Sequence, residues 1–173
     1  MRLARIAWHL AKFIENVRGV SLDPVLMRRD WLSAYGFATE RGARFLGDYA
    51  RGADPFARIG ERTVSVQVTS VIRASERSFQ VKWTETVYER GSEAGISHWT
   101  GILTIVSKAP VSAETLRKNP LGIYVDAIDW SRELDPPLPS TPAPARVAPP
   151  PSGNPPPIAS PVVQPPLNPE TQP

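Results

Sequence analysis

Apolar side chains in the first third of the chain recur every three or four residues, a spacing typical of amphipathic helices. The first helix is predicted over residues 4–18. Asp23 followed by Pro24 predicts the start of a second helix, because Asp accepts a capping hydrogen bond and Pro favours the first helical position. A third helix is predicted between Thr39, another capping residue, and Asp54. Each of these helices has one apolar face that must be buried.

The apolar spacing then changes from about 3.6 to 2, which is typical of strands with one buried face. Three such segments lie around residues 64–69, 79–87 and 99–105. Short polar turns at 75–77 and 91–95 separate them, so the strands are predicted to form an antiparallel meander. Each strand spans roughly 10 to 13 residues, against a usual length of about 5 to 6. Strands of that length are expected to curl and to give the sheet a concave face.

The remaining part of the domain completes the sheet. Pro110 breaks the third strand, and Ser112 is expected to cap a short helical turn that runs through Lys118. Residues 119–122 are predicted to form a turn, with Pro fixing φ and Gly free to adopt a positive φ. The apolar run 123–130 predicts a fourth strand that lies within the sheet. Helices packed on a curled antiparallel four-stranded sheet define an α+β fold with the layout of nuclear transport factor 2-like domains.

Composition divides the chain into two parts. Of its 20 prolines, 16 lie between Pro136 and Pro173. From Asp135 onward the sequence has no periodicity and almost no charge, and its proline runs favour polyproline II over a packed core. The sequence therefore predicts one domain over residues 1–134 and a disordered proline-rich tail over residues 135–173. The domain is long enough to bury a core without disulfide or metal staples.

Charge and cysteine content exclude several function classes. The absence of cysteine excludes a disulfide framework, a thiolate zinc site and a cysteine nucleophile. The net charge of +3 comes from scattered basic residues, whereas nucleic-acid binding needs a basic patch or stripe. No window approaches the ~20 apolar residues of a membrane helix, and His9, Lys12 and Glu15 interrupt the apolar run that a signal peptide requires. We therefore expect no export or anchoring signal in this sequence.

Glu85 is the main candidate for chemistry. It shares strand parity with Trp83 and so belongs to the inward set of side chains. An inward carboxylate must be ion-paired or must have a raised pKa. The structural interpretation is a buried ion pair, with possible partners that include Arg28, Arg29 and Arg73. The catalytic alternative is a general base in the concave pocket of the sheet.

The other polar residues give weaker indications. Neither His9 nor His98 has a further ligand at metal-binding spacing, so both are expected to be structural or solvated, and no metal or cofactor is predicted. Asp126 has the opposite parity to Ile123 and Val125 and is expected to face outward. The five tryptophans are spread along the elements and are predicted to be mostly core, with one or two as interface anchors. No catalytic residue is assigned.

Several short motifs occur in a fixed order between Ile6 and Leu134. They are Trp8-His9-Leu10-Ala11, Phe13-Ile14-Glu15-Asn16-Val17-Arg18, Asp48-Tyr49-Ala50-Arg51, Asp54-Pro55-Phe56-Ala57-Arg58, Val64-Ser65-Val66, Phe79-Gln80-Val81, Trp83-Thr84-Glu85, Asn119-Pro120-Leu121-Gly122-Ile123-Tyr124-Val125 and Trp130-Ser131-Arg132-Glu133-Leu134. The Asn-Pro-x-Gly turn and the closing Trp-Ser-Arg-Glu are the most specific. Together they resemble the VirB-type family of type IV secretion inner-membrane assembly factors, and within it the conjugal-transfer (TrbF) branch.

The resemblance implies a nuclear transport factor 2-like periplasmic domain, tethered to the inner membrane by one N-terminal helix and without enzymatic activity or cofactor. It also implies homo-oligomers, contacts with other type IV secretion subunits, and no direct contact with nucleic acid. Transferred onto this sequence, the turn motif of the family falls on Asn119, Pro120 and Gly122. The candidate structural and interaction residues are therefore Trp83, Glu85, Asn119, Pro120, Gly122, Trp130, Arg132 and Glu133.

Two departures and two alternatives accompany the resemblance. The sequence starts at Met1, almost directly on the first domain helix, where family members carry a cytoplasmic tail, a membrane helix and a further segment. A late start codon or a truncated gene is therefore expected, and the proline-rich tail is longer than the family leads us to expect. The alternatives are a pocket enzyme built on Glu85, and a small-ligand or adaptor module whose tail binds a polyproline-reading partner.

Overall fold

Three helices precede the sheet in the order that the sequence predicts. The computed structural model describes residues 2–134, and the predicted disordered tail, 135–173, lies outside the described residues. Within residues 2–134, no helix has the length and apolar character needed to cross a membrane. The elements are α1 (Arg2–Arg18), α2 (Pro24–Gly36), α3 (Glu40–Ala53), β1 (Arg62–Arg73), β2 (Ser78–Glu89), β3 (Ser92–Ser107), α4 (Ala113–Lys118) and β4 (Ile123–Arg132).

Polar caps begin the helices where the sequence predicts them. The Asp23 carboxylate accepts a hydrogen bond of 2.8 Å from the backbone N–H of Val25. The Thr39 hydroxyl accepts one of 3.2 Å from Gly42, and Ser112 caps α4 in the same way. Each cap satisfies a backbone donor that the first helical turn leaves unpaired. The predicted starts of α2, α3 and α4 are therefore confirmed, whereas α1 begins two residues before the predicted residue 4.

The strands form an antiparallel meander in the order β1-β2-β3-β4, as predicted. The turn predicted at 91–95 is wrong, because the chain reverses at Arg90 and Gly91 and β3 already begins at Ser92. Arg90 and Gly91 both have positive φ, at 51° and 83°, which allows a tight hairpin that matches the twist of the strands. The small and polar residues that follow Gly91 are typical of a loop, but they belong to β3 and extend it to 16 residues.

β4 is an edge strand that pairs only with β3 among the described strands, so the prediction that it lies within the sheet is wrong. The α2–α3 linker covers its outer edge. Val125 N–H donates to the Phe37 carbonyl at 2.8 Å, and Thr39 N–H donates to the Val125 carbonyl at 3.0 Å. The linker thus takes the place of a neighbouring strand, which explains why an edge strand carries a continuous apolar run.

A β-bulge in β4 lies at Asp126, which is predicted to face outward and whose carboxylate lies 3.6 Å from the exposed Arg41 guanidinium. Val125 pairs with Ile105 and Ala127 with Thr104, which leaves Asp126 without a partner in the register. The extra residue re-aims the side chains beyond it. The half-buried Asp126 carboxylate accepts a 2.7 Å hydrogen bond from the Thr39 hydroxyl at the start of α3.

The core lies between the helices and the concave face of the sheet. The helices contribute fully buried apolar side chains from α1 and α3, and the central strands contribute the opposing layer. Each such side chain contributes roughly 1.5–3 kcal/mol by burial. The largest fully buried side chains are Leu10, Phe13, Ile14, Val17, Leu46, Val81, Trp83, Leu103 and Val125.

Candidate functional site

Glu85 faces the interior, as its strand parity predicts, and its residue surface is only 7% exposed. Its carboxylate pairs with the Arg18 guanidinium, with Nε 2.6 Å from Oε1 and Nη2 3.1 Å from Oε2. The predicted buried ion pair is present, but its partner is Arg18 and not Arg28, Arg29 or Arg73. Arg18 ends α1, which packs mainly against β1, and its side chain reaches Glu85 on β2. No local pattern in the sequence reveals that contact between residues 67 positions apart.

Aromatic rings surround the ion pair. The Arg18 guanidinium lies 4.1 Å from the ring centre of Trp99, 5.0 Å from that of Trp130 and 5.3 Å from that of Tyr49, within range of cation–π attraction. The indole N–H of Trp83 donates to the buried carboxylate at 2.9 Å. Both carboxylate oxygens therefore accept hydrogen bonds from the protein itself, an arrangement that holds α1 on the sheet.

An open pocket of about 870 Å³ lies beside this ion pair. We call it the arginine pocket, after its charged lining of Arg18, Arg58, Arg62, Glu85, Glu89 and Arg132. Arg58 Nη1 lies 3.2 Å from Glu89 Oε1 across the pocket wall. Burial raises the pKa of the Tyr49 hydroxyl in the same wall, and the Arg18 charge opposes that rise. The pocket is thus a polar concavity that carries more positive than negative groups.

The Asn119–Gly122 turn is fixed by its own side chains. Buried Asn119 donates from Nδ2 to the Ile123 carbonyl at 2.8 Å and accepts from the Ile123 N–H at 3.2 Å. Gly122 has a φ of +59°, as the turn prediction requires, and a Cβ there would lie 1.9 Å from the Lys108 carbonyl oxygen. Pro120 is exposed at the apex of the turn. The turn is therefore a rigid platform for exposed residues.

A second open pocket, about 800 Å³, lies between this turn, α1 and α2. Its most exposed aromatic residue is Trp8, at 69%. Trp8 lies outside the stripe of α1 residues that faces the core, and that departure from the helical period is the signal that could have identified it. We call this region the turn surface, defined by Trp8, His9, Phe37, Pro120 and Leu121.

The two histidines have structural settings. His9 is buried in an edge-to-face contact with Phe37, with the two ring centres 4.4 Å apart. Its Nε2 has no hydrogen-bond partner among the described residues. Burial lowers the pKa of His9, and a hydrogen bond with the Ile123 backbone opposes that shift. His98 Nδ1 lies 3.1 Å from the Thr84 hydroxyl. Within residues 2–134, no group of three His, Asp or Glu residues is placed to hold a metal ion.

Glu133 lies apart from both pockets and ties three strands together. Its carboxylate accepts hydrogen bonds from Lys82 Nζ at 2.8 Å and from the Thr100 hydroxyl, while its backbone N–H donates to the His98 carbonyl at 2.7 Å. The Lys82 hydrogen bond lowers the pKa of this carboxyl. The candidate residues thus separate into three groups. Trp83, Glu85, Trp130 and Arg132 lie at the ion pair and the arginine pocket. Asn119, Pro120 and Gly122 form the turn, and Glu133 stands apart where it links the strands.

Comparison with protein families gives one match over nearly the whole described chain. The model described as "VirB8 protein" matches residues 3–133. The conjugal transfer protein TrbF of Rhizobium radiobacter is 29% identical to the chain over 128 residues, which are 72% of this chain and 58% of that relative. The chain therefore spans less than two thirds of the length of TrbF.

Solved structures share the fold at low sequence identity. Agrobacterium tumefaciens VirB8 superposes with a TM-score of 0.68 at 14% identity, over 77% of this chain and 94% of that one. A TrwG component of the type IV secretion system from Bartonella birtlesii gives a TM-score of 0.65 at 16% identity, over 78% of this chain and 93% of that one. The soluble TrwG domain from Bartonella grahamii gives a TM-score of 0.64 at 13% identity, over 78% of this chain and 96% of that one. These likenesses confirm the predicted nuclear transport factor 2-like α+β fold.

Proposed function

The chain belongs to the VirB8 protein family, and from this premise we propose that it is a non-enzymatic assembly subunit of a type IV secretion apparatus for conjugal DNA transfer. It acts through contacts with other subunits on the periplasmic face of the inner membrane. The name of its relative TrbF, a conjugal transfer protein, supports this function. The observation in the structure that carries the proposal is the turn surface.

The turn surface has the composition of a protein-binding patch. Trp8 is exposed beside an open apolar pocket, whereas a tryptophan without a partner is expected to bury most of its surface. Arg5, Lys12 and Lys118 supply a charged rim. Interfaces enriched in an aromatic anchor with a polar rim are typical of binding hot spots. We infer that this surface mediates self-association and contacts with other secretion subunits.

The geometry of Glu85 argues against the enzyme alternative. A general base needs a carboxylate within reach of a substrate proton. Both oxygens of Glu85 instead accept hydrogen bonds from Arg18, and one also accepts from the Trp83 indole. Glu85 therefore forms the buried ion pair of the structural interpretation.

The test replaces Trp8 with Gln in the full-length gene. Loss of an interface tryptophan commonly costs about 2 kcal/mol or more of binding free energy, which corresponds to roughly a 30-fold loss of affinity. We expect DNA transfer to fall at least tenfold in a complementation assay. We also expect weaker self-association by analytical ultracentrifugation, with the melting temperature unchanged because Trp8 is exposed.

The matched control is Ile72→Gln, which changes an exposed apolar residue of β1 outside the turn surface. This variant is expected to transfer DNA and self-associate like the wild type. If Trp8→Gln also transfers DNA at the wild-type frequency and associates unchanged, the turn surface is not the contact, and the proposal loses its structural support.

A further inference from the structure

We propose that the arginine pocket is a second interaction site, which binds a carboxylate group presented by a segment of a partner protein. The pocket is on the side of the domain where α1 ends, and the turn surface includes Trp8 from the first half of that helix. The protein nature of the partner rests on the proposed function, but the anion chemistry of the pocket stands on its own residues.

The charge of the pocket favours an anion. Its lining contains four arginines and two glutamates. Glu85 is committed to Arg18 and Glu89 to Arg58, so the two carboxylates already have cationic partners in the wall. Arg62 thus adds a positive charge beyond these two ion pairs to a concave, partly desolvated space, where charge–charge attraction is stronger than in bulk water.

Arg62 is the residue that we expect to bind the carboxylate. It is half-buried at the start of β1 and lines the pocket, and its positive charge acts on the Tyr49 hydroxyl. It forms no salt bridge with any carboxylate of the described residues. A partly buried guanidinium without an acceptor loses hydration without compensation. Its planar set of donors matches the two oxygens of a carboxylate.

The aromatic residues of the pocket favour a peptide carboxylate over a nucleic acid. Binding of single strands relies on open aromatic faces on which bases stack. One face of Trp99 is covered by Arg18 at 4.1 Å, and its ring also stacks with Trp83. Trp130 is in edge-to-face contact with Phe45. The rings therefore line the pocket without offering open faces for bases, and the arginine charge is the group that would bind the ligand.

The experiment titrates the full chain with short peptides and follows the indole N–H signals of Trp99 and Trp130 by NMR. One peptide has blocked termini and a single central glutamate. A second replaces that glutamate with glutamine, and a third is the glutamine peptide with a free C-terminal carboxylate. The third peptide distinguishes a chain terminus from an acidic side chain as the source of the carboxylate.

We expect a carboxylate-bearing peptide to shift both signals saturably with a Kd below about 1 mM, and added salt to weaken binding. The blocked glutamine peptide should cause no saturable shift. Arg62→Gln should reduce affinity about tenfold or more, because a charge-assisted hydrogen-bonded pair is lost. The matched control, Arg44→Gln on the exposed side of α3, should bind like the wild type.

Three results would overturn this assignment. The first is that the glutamate peptide and the blocked glutamine peptide bind equally, or that none of the three peptides binds. The second is unchanged affinity in Arg62→Gln. The third is tighter binding of a ten-nucleotide thymidine strand to the same signals, which would make the pocket a nucleic-acid site. Peptide binding is measured without reference to self-association, so a failure here is distinguishable from a failure of the turn-surface proposal.

Discussion

Breaking the Arg18–Glu85 ion pair gives the most direct measure of what holds α1 on the sheet. The side chains are 8% and 9% exposed, so solvent screening removes little of the interaction. Removing one member of such a pair typically costs about 3–5 kcal/mol, because the remaining charge is left buried. Glu85→Gln keeps one acceptor oxygen for Arg18 and for the Trp83 indole. We therefore expect the lower end, about 3 kcal/mol of unfolding free energy.

The assay is urea unfolding followed by tryptophan fluorescence, which reports on the rings around the pair. For a domain of this size, about 3 kcal/mol corresponds to a melting temperature lower by roughly 12 °C. The control is Glu15→Gln, which removes the exposed Lys12–Glu15 pair at 3.0 Å. That change should alter the unfolding free energy by less than about 0.5 kcal/mol.

A double-mutant cycle isolates the pair from other effects of the substitution. Arg18→Met removes the buried cation. The double variant should therefore lose much less unfolding free energy than the sum of the losses in the two single variants. We expect a coupling energy of about 2 kcal/mol or more. If Glu85→Gln costs less than about 1 kcal/mol, or if the two changes are additive, the ion pair does not hold α1 on the sheet and our reasoning is wrong.

Two further predictions concern the turn and the buried histidine. Gly122→Ala should lower the unfolding free energy by about 2–4 kcal/mol in urea titrations, because its Cβ meets the Lys108 carbonyl and its φ is positive; Gly36→Ala, with open space around it, should be neutral or stabilising, and equal effects would refute the clash. The pKa of His9 is lowered from 6.5 in the folded state, so the unfolded chain binds the proton more readily and stability should fall as pH drops through 6.5. His9→Phe should abolish that His9 contribution when urea midpoints are compared at pH 7.5 and 5.5, and an unchanged pH dependence would contradict the assignment.

The sequence predicted the features that depend on neighbouring residues. Capping by Asp23 and Thr39, and the positive φ of Gly122, follow from the chemistry of single residues in short segments. The inward position of Glu85 follows in the same way from the two-residue period of its strand. These inferences hold because backbone geometry and local hydrogen bonds determine them.

The features that the sequence did not predict depend on contacts between distant segments or on breaks in period. The Arg18 partner of Glu85 is set by where α1 crosses the sheet, and propensity contains no information about that crossing. The bulge at Asp126 changes the face of every later residue of β4, so counting parity from Ile123 would place the buried Ile128 on the outer face. Sequence composition also does not show that a linker, and not a strand, covers the edge of β4.

α1 connects the two proposed contact sites, which constrains how experiments on either are interpreted. Trp8 and His9 belong to the turn surface, and Arg18, at the end of the same helix, belongs to the arginine pocket. A change that loosens Arg18 therefore also frees the helix that carries Trp8. Loss of self-association in Glu85→Gln is consequently a stability effect unless it persists at temperatures where the variant remains folded. Trp8→Gln and Arg62→Gln leave the ion pair in place, so these variants, and not changes to the pair, separate the two contacts.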